Sequence, residues 1–330
     1  MELGRRAVVV TALVALPALA GGASAAEAPA ALAAAAPTPA APCGVAAPPP
    51  RWDRIALLVF ENRSYDQIVG DTKNAPYLNS LMKACGSSAG MTQVSDVSLP
   101  NYIALTSGYT GCDAADADGG CTHEKPITSN RNPKVWPQAS ASIFELLGTQ
   151  AQELEEAVPS NCYLKGSGDF IINHAPFQFF TRARSLCEQL AVPFEAATAS
   201  PNPLAKTFNL LTPARQGIMH GGYPSTKSSR TKAGDDWAKQ VVPQLISSPE
   251  YQAGRTAIII TWDEGNSTSP RIPFIVISPS TPAGVESTVA YDHYSTLKGM
   301  QQMLGVTPLL GHAGDAGVSS IRDDPAFGLR

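Results

Sequence analysis

Residues 256–264 read Thr-Ala-Ile-Ile-Ile-Thr-Trp-Asp-Glu, an apolar, β-branched run that ends in two adjacent carboxylates. A run of this length without alternation suits a strand buried on both faces of a parallel sheet. Open α/β sheets place their ligands beyond the carboxyl ends of the strands, which is where Asp263 and Glu264 emerge. The chain repeats the arrangement earlier, where Ile55-Ala-Leu-Leu-Val-Phe60 runs into Glu61-Asn62-Arg63. Two buried strands that each deliver oxygen donors to one sheet edge suggest a metal site.

Helical spacing recurs between such runs. Helices are expected over 75–85, with Pro76 near the start and Gly86 as the stop, and over 98–108, with Ser98 as N-cap and Gly108 as the stop. Others are expected over 142–152, where Ser142 and Glu145 form a capping-box pattern, over 236–246 and over 295–304. Strands are expected at 55–60, 91–97, 257–262 and 272–278. This alternation predicts an α/β fold class, a doubly wound, mainly parallel sheet with helices on both faces. Segments 111–137, 165–168 and 221–233 read as loops that line a site or move.

The ends and the composition bound the rest. Arg5 and Arg6, the apolar stretch Ala7–Ala20 and Ala23-Ser24-Ala25 form a secretory signal over residues 1–25, with the export route left open between the general and twin-arginine systems. Residues 26–50 are almost all Ala and Pro and read as a linker with nothing to pack a core. Residues 51–330 suffice for one large domain, expected as a secreted monomer without a membrane span. The net charge of −4, without a basic stretch, argues against nucleic-acid binding. Lys227–Lys232 reads as solvated loop. Six cysteines in an exported chain favour three disulfides among fifteen possible pairings. Cys112 with Cys121 would close a short loop, Cys162 with Cys187 would brace the segment around His174, and Cys43 with Cys85 would remain.

Ser98 at a strand-to-helix junction faces free N–H groups and the positive end of a helix, a ready anion site. Asn101, one turn on, is placed to donate to a phosphoryl oxygen. No G-x-S-x-G elbow surrounds Ser98, so a nucleophilic Ser98 needs another activator, and a metal is the available one. Glu61, Asn62, Asp263 and Glu264 offer hard oxygens, and His293 in Tyr291-Asp-His-Tyr-Ser295 is placed to complete a mixed oxygen/nitrogen set. His174 suits a substrate-contacting wall, and His220 sits in Met219-His-Gly-Gly222. His123 and His312 have no supporting context.

Phe60-Glu-Asn-Arg-Ser-Tyr65, Ala75-Pro-Tyr-Leu-Asn-Ser-Leu81, Ser98-Leu-Pro-Asn-Tyr102, Thr261-Trp-Asp-Glu-Gly265 and Tyr291-Asp-His-Tyr-Ser295 occur in that order. Over residues 54–304 the chain resembles the bacterial phosphoesterase family of secreted acid phosphatases and phospholipases C, a branch of the alkaline phosphatase superfamily. Within it the chain is most similar to the short actinobacterial acid phosphatases that act on phosphomonoesters, phosphatidylinositol 3-phosphate included. The resemblance implies an alkaline-phosphatase-like fold, metal contacts at Glu61, Asn62, Ser98, Asp263, Glu264 and His293, a Ser98 nucleophile, and His174 toward substrate.

Two departures stand out. The family's His-Pro-Ser is Asp96-Val97-Ser98 here, and its Asp-Met-His-Asp is Ile218-Met-His-Gly221, so both carboxylates around His220 are missing. One divalent ion (Mg, Ca, Mn or Zn) is therefore expected rather than two. Asp235, in Gly234-Asp-Asp-Trp237, matches the family's Gly-Asp-x-Trp.

The activity expected is hydrolysis of a small phosphomonoester or a phosphoinositide headgroup through a phosphoserine at Ser98, with His220 or His293 protonating the leaving group. The alternatives are a phospholipase C-type phosphodiesterase and a secreted binding protein on a degraded scaffold of the same kind.

Overall fold

The computed structural model describes residues 36–195, 202–220, 226–266 and 268–330; the expected signal and the start of the linker lie outside them. In chain order the strands are β1 (Arg54–Phe60), β2 (Gly86–Ser88), β3 (Cys112–Ala115), β4 (Cys121–Glu124), β5 (Ala151–Glu155), β6 (Ala191–Pro193), β7 (Phe208–Thr212), β8 (Thr256–Trp262), β9 (Phe274–Ile277) and β10 (Glu286–Ser287). The α-helices are α1 (Tyr65–Ile68), α2 (Pro76–Ala84), α3 (Ser98–Ser107), α4 (Ile143–Leu147), α5 (Arg184–Leu190), α6 (Lys227–Ser247), α7 (Pro249–Gln252) and α8 (His293–Leu304).

The two apolar runs lie side by side. β1 and β8 pair in parallel from Arg54↔Thr256 to Phe60↔Trp262. Every residue of β8 is buried, as is all of β1 after Arg54, so both faces of this central pair are covered. The sheet has eight strands in the order β10-β2-β9-β8-β1-β7-β5-β6. Its core from β6 to β8 is parallel, and β9 runs antiparallel to both β8 and β2. The expected α/β class with a mainly parallel sheet is the observed one.

Several elements differ from the sequence reading. Residues 91–97 hold only isolated bridges, Met91 to Tyr291 and Thr92 to Arg271, because the segment is pinned between two distant chains instead of extending along one. The helix expected over 142–152 ends at Leu147, though Ser142 does cap it by accepting from Glu145 N at 3.3 Å. A 3₁₀ turn follows, and then β5, whose Ala-Gln-Glu-Leu-Glu sequence favours helix by propensity but is held extended by pairing with β7 and β6. β7 itself, Phe-Asn-Leu-Leu-Thr, carried too little pattern to be read as a strand. α6 starts nine residues before the expected 236. Its first turn is the Ser/Thr/Lys segment taken for a loop; Thr226 accepts from Ser229 N at 3.1 Å, and Lys232 pairs with Asp236 one turn on at 2.6 Å.

The Ala/Pro segment is docked where it is described. Cys43 is disulfide-bonded to Cys85, Val45 and Ala46 donate to the Pro279 carbonyl at 2.8 and 2.9 Å, and Pro42 accepts from the Tyr251 hydroxyl at 2.8 Å. A disulfide and backbone bonds hold it without large side chains. Cys112–Cys121 and Cys162–Cys187 form the other two disulfides. Among the described residues, no helix is long and apolar enough to cross a membrane.

Candidate active site

The register of β1 and β8 builds the site. Because Phe60 lies opposite Trp262, Glu61 and Asp263 leave the sheet together, and Asp263 N donates to the Phe60 carbonyl at 2.9 Å. Glu61 N donates to the Ile218 carbonyl at 2.9 Å, which ties in the segment after β7 that carries His220. Asn62 adopts a left-handed φ of 52°, a conformation that costs a non-glycine residue energy. In return its backbone N–H reaches Asp263 Oδ1 at 3.1 Å and its Nδ2 reaches Glu61 Oε2 at 2.7 Å. Arg63, buried, braces the turn from behind: Nη1 donates to the Asn62 carbonyl at 2.6 Å and Nε to Thr231 Oγ1 on α6 at 3.0 Å.

Ser98 is the first residue of α3, and Val97, not Ser98, occupies the cap without a side-chain bond. Its hydroxyl is thus not spent on the helix. It donates instead to Glu61 Oε2 at 3.2 Å, and the residue is 1% exposed. Asn101 differs from expectation. Its Nδ2 donates to the carbonyls of Ser95 and Val97, both at 2.9 Å, and its Oδ1 accepts from Val94 N at 3.0 Å and Ser95 N at 3.1 Å. All four valences of the amide go to the loop that leads into Ser98, so none is left for a phosphoryl oxygen.

His174 is no substrate wall: it is buried, and its Nε2 lies 2.9 Å from Glu61 Oε1. Glu61, His174 and His220 each offer one ligand atom, all within 4.8 Å of one another. This grouping was missed in the sequence, because His174 comes from the segment after β5 and His220 from the one after β7. His293 is the first residue of α8, behind an Asp292 cap that accepts from Ser295 N at 2.8 Å. Its Nε2 lies 2.6 Å from the Asp263 carbonyl, which can only accept, so Nε2 carries the proton and Nδ1 the lone pair. That proton is committed to the backbone, so His293 is not poised to protonate a leaving group. Asp235 also serves structure: buried, its carboxylate accepts from Tyr77 N at 3.1 Å and Leu78 N at 2.8 Å and joins the start of α2 to α6.

Burial dominates the electrostatics. It pushes the Glu61 and Glu264 carboxyls up to about 8 and Asp263 well above the carboxylate range, with each neighbour's charge adding to the effect. It pulls His174 down to about 3 and His293 to about 4, so both imidazoles are neutral lone-pair donors. Glu61 Oε1 and His174 Nε2 have only each other, at 2.9 Å, and the buried Asp263 Oδ2, Glu264 Oε2, His174 Nδ1 and His293 Nδ1 have no hydrogen bond. Buried polar atoms of native proteins are rarely left so. Glu61 and the imidazoles of His174 and His220, their ligand atoms within 4.8 Å of one another, fit a divalent cation, whose charge reverses the cost of ionising the buried carboxylates beside it. A cavity of about 320 Å³ opens beside them, lined by Asn62, Gln93, Asp96, Glu264, Gly265 and Asn266. A groove of about 500 Å³ at Trp237 and Glu156 contains none of the cradle residues.

Comparison with known proteins meets this geometry. Residues 218–307 match the model of the Phosphoesterase family, a span that holds His220, Asp263, Glu264 and His293. The chain is 25% identical over 270 residues to a phosphatidylinositol-3-phosphatase of Mycobacterium tuberculosis, covering 81% of each. In fold it resembles a protein in the alkaline phosphatase superfamily from Vibrio parahaemolyticus, with a TM-score of 0.53 at 12% identity over 84% of this chain and 72% of that one. It likewise resembles a sulfatase from Pseudoalteromonas sp., with a TM-score of 0.51 at 14% identity over 85% and 72%. The resemblance read from the motifs thus holds in sequence and in fold, and the chain is a phosphoric ester hydrolase with an alkaline-phosphatase-like α/β fold.

Proposed function

We propose that the protein is a secreted, metal-dependent phosphomonoesterase that works through a phosphoserine at Ser98. The observation that carries this reading is the Ser98 hydroxyl at the start of α3, 3.2 Å from a Glu61 carboxylate in an uncompensated buried cradle. Glu61, His174 and His220 would hold one divalent ion, with the carboxylates of Asp263 and Glu264 nearby to add to its negative surroundings. When bound, such an ion offsets the buried carboxylate charge, lowers the pKa of the Ser98 hydroxyl and polarises a phosphoryl oxygen.

The chain's own groups supply the rest. Asn101 fixes the 94–97 loop so that Ser98 points at the cradle. The N-terminal end of α3 faces the phosphoryl oxygens, where its positive potential favours the spread negative charge of phosphoryl transfer. Ser98 Oγ bonds to phosphorus as the bond to the ester oxygen breaks; the serine proton passes to the Glu61 carboxylate, and the ester oxygen takes up a proton from water and leaves as the alcohol. Water then attacks the phosphoserine, releasing phosphate and restoring Ser98.

Three disulfides support an oxidising, extracellular setting. Similarity to a mycobacterial phosphatidylinositol-3-phosphatase of comparable length supports a monoester, with a phosphoinositide headgroup as the first substrate to try. The test is hydrolysis of p-nitrophenyl phosphate and of its bis-ester, with and without chelator. Chelator-sensitive cleavage of the monoester supports the reading. Preference for the bis-ester would move it to a phosphodiesterase, and an inert protein that binds phosphorylated ligands would make it a binding module.

A further inference from the structure

One buried side chain touches two members of the cradle and belongs to neither the nucleophile nor the donor set. Tyr102 lies four residues after Ser98 in α3, on the same helix face and one turn deeper. It is fully buried. Its ring stacks on the His174 imidazole, with centroids 5.4 Å apart and planes 15° from parallel. Its hydroxyl lies against the Glu61 carboxylate without a formed hydrogen bond.

A histidine that binds metal usually has its ring plane fixed by a hydrogen bond from the second ring nitrogen. His174 Nδ1 has no such partner. Its backbone is held, since Thr212 Oγ1 donates to the His174 carbonyl at 3.4 Å, but that bond leaves the ring free to turn. His220 meets the ring at a tilt of 48°, with centroids 5.7 Å apart, whereas the Tyr102 face lies nearly parallel to it and so is the contact that sets its plane. The hydroxyl of the same residue faces Glu61, so one rigid group on α3 lies against both His174 and the carboxylate beside it.

We propose that Tyr102 is a positioning residue for cation binding, holding the His174 ring by its face with its hydroxyl turned toward the Glu61 carboxylate. This rests on the reading of Glu61, His174 and His220 as a cation site. Tyr102→Phe keeps the stacked ring and removes the hydroxyl; Tyr102→Leu removes the plane altogether.

The experiment titrates chelator-stripped full-length protein with Zn²⁺ by calorimetry and follows the His174 imidazole resonances by NMR. Tyr102→Phe should bind Zn²⁺ several-fold more weakly than wild type with sharp His174 signals. Tyr102→Leu should lose about 10- to 100-fold in affinity, with the His174 signals broadened by ring motion. Wild-type affinity in Tyr102→Leu would overturn the positioning role alone. A wild-type protein that takes up no Zn²⁺ would overturn the cation site and this proposal with it. Should Tyr102→Leu fail to fold, Tyr102→Phe carries the test, and unchanged affinity there would overturn the hydroxyl's part.

Discussion

In the proposed mechanism, Asn101 bears on catalysis without facing the substrate side. Four hydrogen bonds from its amide bind the backbone of residues 94–97, and the next residue is Ser98. Removing it leaves buried backbone groups unsatisfied. Asn101→Ala should therefore cost about 2–4 kcal/mol of stability, read by denaturant unfolding, and lower kcat as the loop loosens. Ser98→Ala should behave in the opposite way. The fold and Zn²⁺ affinity should stay near wild type while turnover falls on the order of 10⁴-fold or more; a variant that still hydrolyses p-nitrophenyl phosphate at the wild-type rate would remove Ser98 from the chemistry. Ser98, Glu61 and Asp263 were legible in the sequence because strand ends and helix starts are local patterns. The work of Asn101 was not, since its partners are main-chain atoms whose positions only the folded loop defines. His174 and His220 were visible as histidines, but their meeting at Glu61 depends on two separate segments arriving at one sheet edge.

Among elements, the contact of α6 with the segment carrying His220 is unusually close. A Cβ at Gly234 would lie 2.4 Å from Met219 Cε and Cγ and 2.9 Å from the Gly217 carbonyl oxygen. Met219 already holds a φ of 70° and immediately precedes His220. Gly234→Ala should push this segment away from Glu61 and weaken Zn²⁺ binding about tenfold, as displacing a metal ligand's support commonly does. Calorimetry would detect it, and unchanged affinity would show that the segment yields elsewhere. The Cys162–Cys187 bond spans 25 residues that include His174. Replacing both cysteines with serine should cost about 3 kcal/mol, measured by denaturant unfolding. Helices with clear stops, such as α2 and α3, could be read from sequence. β5 could not, because its five residues prefer helix and only pairing with β7 and β6 decides the matter.

At the scale of the whole molecule, buried carboxyls make stability depend on pH. Glu153 and Glu155, two apart on β5, are both buried. Burial raises Glu153 from 4.5 to about 8 and lifts Glu155 well above the carboxylate range, where the charge of Glu153 adds to it. A carboxyl raised in the folded state stabilises the fold in full below its unfolded pKa and loses that contribution as pH rises through the folded one. The melting temperature of metal-free protein should thus fall as pH rises from 4.5 toward 8. Glu153→Gln should flatten that fall, and an unaltered profile in the variant would contradict the assignment. The fold class was legible because β1 and β8 are unmistakably buried strands. The order of strands around them was not, nor was the reversed direction of β9, since both are set by which edges meet.

The proposed meeting of one cation and one serine between the ends of β1 and β8 is tested most directly by a crystal grown with Zn²⁺ and soaked with vanadate. The prediction is a zinc anomalous peak bounded by Glu61, His174 and His220, with vanadium bonded to Ser98 Oγ. Zinc elsewhere, or vanadate away from Ser98, would contradict it.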